Sequence, residues 1–441
     1  MNYINEIKNK HITVLGLGVT GLGIVRFLLS HGLTPKVVDS RLLPPGADWL
    51  KQHAGHLTTH FGDLDTAELN ASDIIIISPG LSLATPAVAS AIAAGVEVIG
   101  DVELFARLTN KPIVAVTGSN GKSTVVTLAY DVLKVAGYKV GLGGNIGTAV
   151  LDLLAKDYDV FVLELSSFQL DTTKSLQAIS ACVLNVSEDH LDRYASYQAY
   201  IKSKQSIYRN AQLAVVNKDD VATHTTIQPQ YSFASENADY SLTTCDGEAY
   251  FTVQGKPFLA VNSLSVVGKH NQLNALAVMA LLSPFTINAA QYKQAFNAFT
   301  GLAHRCQFVA EINGVKYFND SKATNVGATI AAIESLADQA KQLVVIAGGD
   351  AKGADLTPLK AYLKQQVKAL ICFGKDAKAL VALTDKGHLT DNMAAAVTLA
   401  KQLSESGDIV LLAPACASID MYNNYMQRGD DFYQCVREEA R

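Results

Sequence analysis

The chain has 441 residues, 49% of them hydrophobic and 17% charged, with a formal net charge of −5. That length calls for about two to four domains, and the composition is that of a folded chain rather than a disordered one. The small acidic excess, without basic clusters, excludes a general nucleic-acid or membrane-surface binder, and six scattered cysteines with no C-x-x-C pair exclude a disulfide framework or zinc ribbon. No stretch reaches the ~18 apolar residues of a membrane-spanning helix, and the first ten residues lack a secretory pattern, so a cytoplasmic chain with free thiols is expected.

Short apolar runs followed by glycine turns and helical periodicity recur from end to end. Residues 11–15 read as a buried strand, 21–30 as a helix, 36–39 as a strand and 73–78 as another. The last contains four consecutive isoleucines, Ile74 to Ile77, apolar on both faces as in a parallel sheet covered by helices on both sides. This first unit closes near Gly100. A second begins with a strand at 112–117 and a helix at 122–136. Strands at 160–165 and 182–186, a helix at 197–209 and a strand at 213–217 follow. Residues 230–262 change character: short alternating pieces such as 250–253, with Gly247 and Gly255 as turns, predict a small antiparallel sheet. Helices at 271–282 and 289–298 follow. The third unit starts near Leu302, with strands at 315–318, 342–347, 369–373 and 409–412 and helices at 325–336 and 393–404. The expected architecture is α/β in three domains: a Rossmann-like unit over 1–100, a P-loop ATPase-type unit with the antiparallel sheet over 101–301, and a second Rossmann-like unit over 302–441.

Two glycine motifs carry chemistry. Gly16-Leu17-Gly18-Val19-Thr20-Gly21 follows a strand and opens a helix, with Asp39 ending the next strand. This pattern lets the backbone approach a diphosphate at a helix N-terminus, which on this motif alone points first to NAD or FAD, although a nucleotide-sugar diphosphate meets the same description. The second motif is Thr117-Gly118-Ser119-Asn120-Gly121-Lys122-Ser123-Thr124. Its amides can wrap a phosphate, Lys122 can neutralise β/γ oxygens, and Ser123 or Thr124 can ligate Mg²⁺. Val116 stands where the generic Walker pattern has its first glycine, so only the shorter core of that pattern is present. Glu164 and His190 follow successive strands, and strand ends of an open α/β sheet face the same crevice. They can therefore share a site with Ser123, whereas each alone reads as an ordinary surface carboxylate or loop histidine.

Taken together, residues 117–124, Glu-Leu-Ser-Ser-Phe-Gln-Leu at 164–170, Asp-His-Leu-Asp-Arg-Tyr at 189–194, His270-Asn271, Asn274-Ala275, His304-Arg305, Asn-Asp-Ser-Lys-Ala-Thr-Asn at 319–325 and Gly-Gly-Asp-Ala-Lys-Gly at 348–353 resemble the Mur ligases along essentially the whole chain. Residues 167–170, 319–325, Ala-Cys-Ala-Ser at 415–418 and Gln-Arg-Gly-Asp at 427–430 resemble the branch of that family that adds D-glutamate. The resemblance implies ATP-dependent ligation of D-glutamate to UDP-N-acetylmuramoyl-L-alanine through an acyl phosphate, with Mg²⁺, in a monomer. It implies Lys122, His190 and Lys204 as catalytic groups. Gly118, Ser119, Asn120, Gly121, Lys122, Ser123, Thr124, Asn271, Asn274, Arg305 and Asp320 fall to ATP, and Ser123, Glu164, His190 and Lys204 to the metal. Val19, Thr20, Ser40, Arg41, Ser78, Gly80 and Asn145 fall to the UDP-sugar. Lys322, Thr324, Lys352, Ser418 and Tyr425 fall to D-glutamate, with Tyr425 where the family has phenylalanine. Carbamylation of Lys204 by CO₂ is likewise implied only by the family, since chemistry alone reads Lys202 and Lys204 as solvated helix lysines. A dehydrogenase leaves residues 118–124 unexplained. A nucleotide sensor needs no Glu164, His190 and Lys204 set. A folylpolyglutamate ligase needs no UDP-binding unit before the phosphate loop, and another Mur ligase, such as the adder of L-lysine or diaminopimelate, calls for a different C-terminal recognition segment.

Overall fold

Ile74–Ile77 is buried at every position, as a strand sandwiched between helix layers must be. It belongs to the first of three sheets in the computed structural model, which describes residues 2–190, 193–266, 268–337 and 339–439. That sheet contains β1 (Ile12–Leu15), β2 (Lys36–Asp39), β3 (Thr59–Phe61), β4 (Ile74–Ile77) and β5 (Glu97–Ile99). All are parallel, in the order β3-β2-β1-β4-β5. The order reverses beside β1, so the loops after β1 and β4 meet at a crevice over the carboxyl ends. There Ser78 Oγ donates to the Gly16 carbonyl at 2.8 Å. Gly21 is required by packing alone: a Cβ on it would lie 1.7 Å from that same carbonyl oxygen. The helix after the motif starts at Val19 and runs to Ser30, two residues earlier than periodicity suggests.

The second sheet has nine strands: β6 (Ile113–Thr117), β7 (Val140–Gly144), β8 (Val160–Glu164), β9 (Ser180–Val183), β10 (Ala214–Asn217), β11 (Gln230–Phe233), β12 (Tyr240–Cys245), β13 (Glu248–Val253) and β14 (Lys256–Ala260). Their order is β14-β13-β12-β11-β10-β9-β6-β8-β7. The expected antiparallel pieces form as the β12-β13-β14 meander, and they continue the parallel sheet through β11 rather than standing apart. The strand expected to reach residue 186 leaves the ladder at Val183. Leu184 N still donates to Thr117 O at 3.0 Å, but the residues after it are drawn elsewhere: the Asn185 carbonyl accepts from Ser119 N at 2.9 Å, and Val186 N donates to Asp220 Oδ2 at 2.8 Å. The helix expected over 197–209 is α-helical over Tyr197–Gln205 and ends in a 3₁₀ turn, Ser206–Tyr208.

The third sheet contains β15 (Gln307–Ile312), β16 (Val315–Asn319), β17 (Leu343–Gly348), β18 (Val367–Phe373), β19 (Gly387–Leu389) and β20 (Ile409–Leu412), ordered β15-β16-β20-β17-β18-β19. β15 and β16 form a hairpin and the rest pair in parallel. The chain ends in a helix, Tyr425–Glu439, whose Phe432 and Val436 pack under this sheet. One apolar cluster runs from Val14 and Ile24 through Phe105 to Phe161 and Leu163, so the first two sheets share a core across the helix Asp101–Ala106. Among the described residues, no helix is long and apolar enough to cross a membrane.

Candidate active site

Registers in the central sheet set the site. Val116 lies opposite Glu164 and Thr117 opposite Val183, so the segments leaving β6, β8 and β9 emerge side by side. Between β6 and the helix Lys122–Val135 the chain makes the glycine loop, held from outside by Asn185, whose carbonyl and Oδ1 accept from Ser119 N and Asn120 N at 2.9 Å each. Lys122 folds back over the loop, its Nζ donating to the carbonyls of Gly118 at 2.8 Å and Ser119 at 2.9 Å. Burial lowers its pKa, against the pull of Glu164. Gly121 caps the helix at φ 83°, and a Cβ there would lie 2.7 Å from Asn274 Oδ1. Gly121→Ala should therefore cost about 1–3 kcal/mol in strain and raise KM for ATP, measured by urea denaturation and by phosphate release at varied ATP.

Glu164, the last residue of β8, is 2% exposed. It accepts from Ser123 Oγ at 2.6 Å and Asn145 Nδ2 at 2.8 Å. Burial raises its pKa, but Lys122, these hydrogen bonds and Arg305 outweigh that, so the carboxyl is held below its ordinary value and stays ionised. Arg305, from the segment before β15, donates through Nη2 to Ser123 Oγ at 2.6 Å. His190 has left-handed backbone at φ 55°; its Nε2 lies 3.7 Å from Asp189 Oδ2 and its ring stands edge-on to Phe168. Lys204, near the end of the helix Tyr197–Gln205, is 2% exposed. Its Nζ donates to Gly118 O at 2.9 Å and lies 4.6 Å from the Tyr200 ring centroid. Burial, and then Lys122, push its pKa well below the ordinary lysine value. Among the described residues, no three His, Cys, Asp or Glu side chains converge to hold a metal by themselves. A hydroxyl and a carboxylate beside a phosphate loop nonetheless suit Mg²⁺, which takes one or two protein oxygens and completes its shell with water and substrate phosphates.

These groups line a cavity of about 1070 Å³ whose opposite wall comes from the C-terminal unit. Ser119, Asn120, Gly121, Lys122, Thr124, Asn145, Glu164, His190, Lys204, Asn271 and Asn274 face it from one side. Arg305, Asp320, Lys322, Thr324, Lys352, Ser418 and Tyr425 face it from the other. Gly118 and Ser123 lie behind the wall, joined to it through Lys122, Lys204, Glu164 and Arg305. The Lys322 ammonium stands 4.2 Å from the Tyr425 ring centroid, and burial pushes its pKa down to about 8. Burial lifts the Asp320 carboxyl to about 7. Asn325 Nδ2 donates to Asn120 Oδ1 at 3.3 Å, a second tie across the cavity.

The residues expected at the UDP-sugar, apart from Asn145, stand elsewhere, at the carboxyl ends of β1, β2 and β4. Val19 is 84% exposed, Ser40, Arg41 and Gly80 are exposed, Thr20 is half-buried and Ser78 is buried. Arg41 forks onto Asp39, Nε to Oδ1 at 2.9 Å and Nη2 to Oδ2 at 2.7 Å, while Leu17 N donates to Oδ2 at 2.6 Å. The acid that a dinucleotide fold presents to a ribose is here buried and engaged, which weighs against NAD. Asn145 instead lines the large cavity beside Glu164.

Sequence reasoning gave no role to Arg428, which is 1% exposed and donates to Ser321 Oγ, Ser321 O, Gly348 O and Cys416 O. Its advance signals are its place in the Gln-Arg-Gly-Asp run at 427–430 and an arginine on the apolar stripe of an otherwise polar helix.

Comparison with known proteins defines the class. Residues 10–100 match the Mur ligase MurD-like N-terminal domain, 116–282 the Mur ligase middle domain, and 304–416 the Mur ligase glutamate ligase domain. The chain belongs to the Mur ligase family. It is 74% identical over 444 residues, 100% of both chains, to the UDP-N-acetylmuramoylalanine--D-glutamate ligase of Pseudoalteromonas translucida (strain TAC 125). It is 46% identical over 433 residues, 97% of this chain and 98% of the other, to the enzyme of the same name from Haemophilus influenzae. A MurF ligase from Thermotoga maritima in complex with ADP shares the fold, with a TM-score of 0.63 at 17% identity over 99% of this chain and 97% of that one.

Proposed function

We propose that the chain joins the amine of D-glutamate to the L-alanyl carboxylate of UDP-N-acetylmuramoyl-L-alanine, converting ATP to ADP and phosphate, as a step in assembling the peptidoglycan precursor. The observation that carries this reading is the single cavity in which the phosphate loop and Glu164 face Lys322, Lys352 and Ser418. On this reading residues 1–100 hold the UDP-sugar, 101–301 hold ATP and 302–441 hold D-glutamate, in a cytoplasmic monomer. The 74% and 46% identical relatives carry the name of this reaction, which supports the choice of substrates.

A carboxylate is a poor acyl donor because its leaving group would be oxide. Attack of a carboxylate oxygen on the γ-phosphorus, with loss of ADP, gives an acyl phosphate. Attack of the D-glutamate nitrogen on the acyl carbon, with loss of phosphate and a proton, gives the amide. Negative charge builds in both steps, and Lys122, His190 and Arg305 are placed to stabilise it. Mg²⁺, when bound, shields the phosphate charges, and Ser123 and Glu164 would hold it. Lys322, Thr324, Lys352, Ser418 and the Tyr425 ring suit a dicarboxylate. Burial and the neighbouring Lys122 shift Lys204 towards its neutral amine, the form that attacks CO₂ to give a carbamate and a proton; the carbamate would add an anionic metal ligand.

The test is phosphate release from ATP and Mg²⁺ with UDP-N-acetylmuramoyl-L-alanine, comparing D-glutamate, L-glutamate, L-lysine and no amino acid. Release only with D-glutamate, with the amide product seen by mass, is expected. Release only with another amino acid would overturn the substrate assignment. Since Lys322 must be cationic to hold a carboxylate and burial sets its pKa near about 8, kcat/KM for D-glutamate should fall as pH rises through that value.

A further inference from the structure

Arg193 belongs to the loop that carries His190, yet it points away from the phosphate loop. Its Nη1 donates to Gly80 O at 2.9 Å and its Nη2 to Pro79 O at 3.4 Å. These carbonyls belong to the turn after β4, whose Ser78 holds the Gly16 carbonyl of the first glycine motif at 2.8 Å. The guanidinium lies 4.3 Å from the Phe168 ring centroid, and that ring stands edge-on to His190 at 4.8 Å between centroids. Phe168 lines both the large cavity and a smaller one of about 280 Å³ that Arg193 shares with residues 78, 79 and 81–84. A continuous line of contacts therefore runs from the glycine turn of the first sheet, through Ser78, Gly80, Arg193 and Phe168, to His190 in the second.

We propose that Arg193 is a positioning residue for the ligation. By gripping the turn at 78–80 and resting on Phe168, it fixes the first unit against the central one and so sets how the donor carboxylate approaches the γ-phosphate. A planar fork suits this role because it spans two adjacent carbonyls and stacks on an aromatic face, which an ammonium does only in part. The bonds of Arg193 go to main-chain carbonyls of the turn and its stacking to a ring, not to Val19, Thr20, Ser40, Arg41 or the phosphate loop. The effect therefore belongs in the chemical step, where small errors of placement are costly.

The inference rests on the reaction proposed above, and the experiment separates the two. Wild-type chain that makes no amide would overturn the reaction. With wild type active, Arg193→Ala should lower kcat by about 10- to 100-fold while KM for ATP stays as it was. Calorimetric Kd for UDP alone should also be unchanged, because the first unit keeps its own site. Arg193→Lys should recover part of kcat and carries the test if the alanine variant does not fold. Phe168→Leu should add little further loss in the Arg193→Ala background, as expected for two members of one contact. Unchanged kcat in Arg193→Ala would overturn the proposal. So would an equal loss of UDP affinity or an equal rise in KM for ATP, since either would mean general damage rather than placement.

Discussion

Lys204→Met should remove nearly all ligation, by about 10² to 10³ in kcat, while leaving the chain folded. Its ammonium is buried against Tyr200, shares the Gly118 carbonyl with Lys122, and has its pKa pushed well down by burial and by that second lysine. Methionine fills similar volume and carries no charge, so the packing cost is small. The pH dependence of stability gives a second readout. A buried base with a depressed pKa binds its proton more weakly folded than unfolded, so protonation favours the unfolded chain. That cost is full below the depressed folded value and fades as pH rises towards the unfolded value of about 10.4. Wild-type stability should gain across this window, and the methionine variant should gain less. Urea midpoints at several pH values, beside the phosphate-release rate, measure both. A Lys204→Met chain that still ligates would remove Lys204 from the chemistry.

Arg428→Met should give the largest loss of stability, about 3–5 kcal/mol. The guanidinium is closed off from water, and burial lowers its pKa to about 10. Its donations to Ser321 Oγ at 3.0 Å, Ser321 O at 2.9 Å, Gly348 O at 3.2 Å and Cys416 O at 3.1 Å join three loops. Each loop leads to a group on the cavity wall: Ser321 precedes Lys322, Gly348 leads to Lys352, and Cys416 to Ser418. Methionine strands three carbonyls without their donor. Lysine, a single point donor, cannot serve all three directions, so Arg428→Lys should rescue little. KM for D-glutamate should rise in both variants. A loss under about 1 kcal/mol by urea denaturation would show that the three loops hold one another without it.

What could be read beforehand follows the range of the forces. Ile74–Ile77 and the run into Thr117 are local patterns, and both became strands where expected. Glu164 and His190 converge because parallel strands deliver their ends to one side, a rule that needs no coordinates, whereas Lys204 comes from a helix and only the family resemblance singled it out. Choices of partner across long separations left no such trace. Asn120 meets Asn325 across 205 positions and Arg193 meets Gly80 across 113, and no periodicity announces either. Strands as short as Thr59–Phe61 and Glu97–Ile99 present too few alternations to distinguish from loop. The true end of β9 was hidden because Asn185 serves the phosphate loop instead of the ladder.

The nine-stranded sheet has an outer margin at β14, whose backbone has a neighbouring strand on one side only among the described residues. Such margins recruit strands from other molecules when they are flat, apolar and fully supplied with amide donors. β14 begins with exposed Lys256 and Pro257, and its pairing with β13 slips between Phe251 and Thr252. The proline lacks a donor, the lysine resists being covered, and the slip bends the ladder. The same meander that extends the central sheet thus ends it in a form that discourages strand addition by another copy.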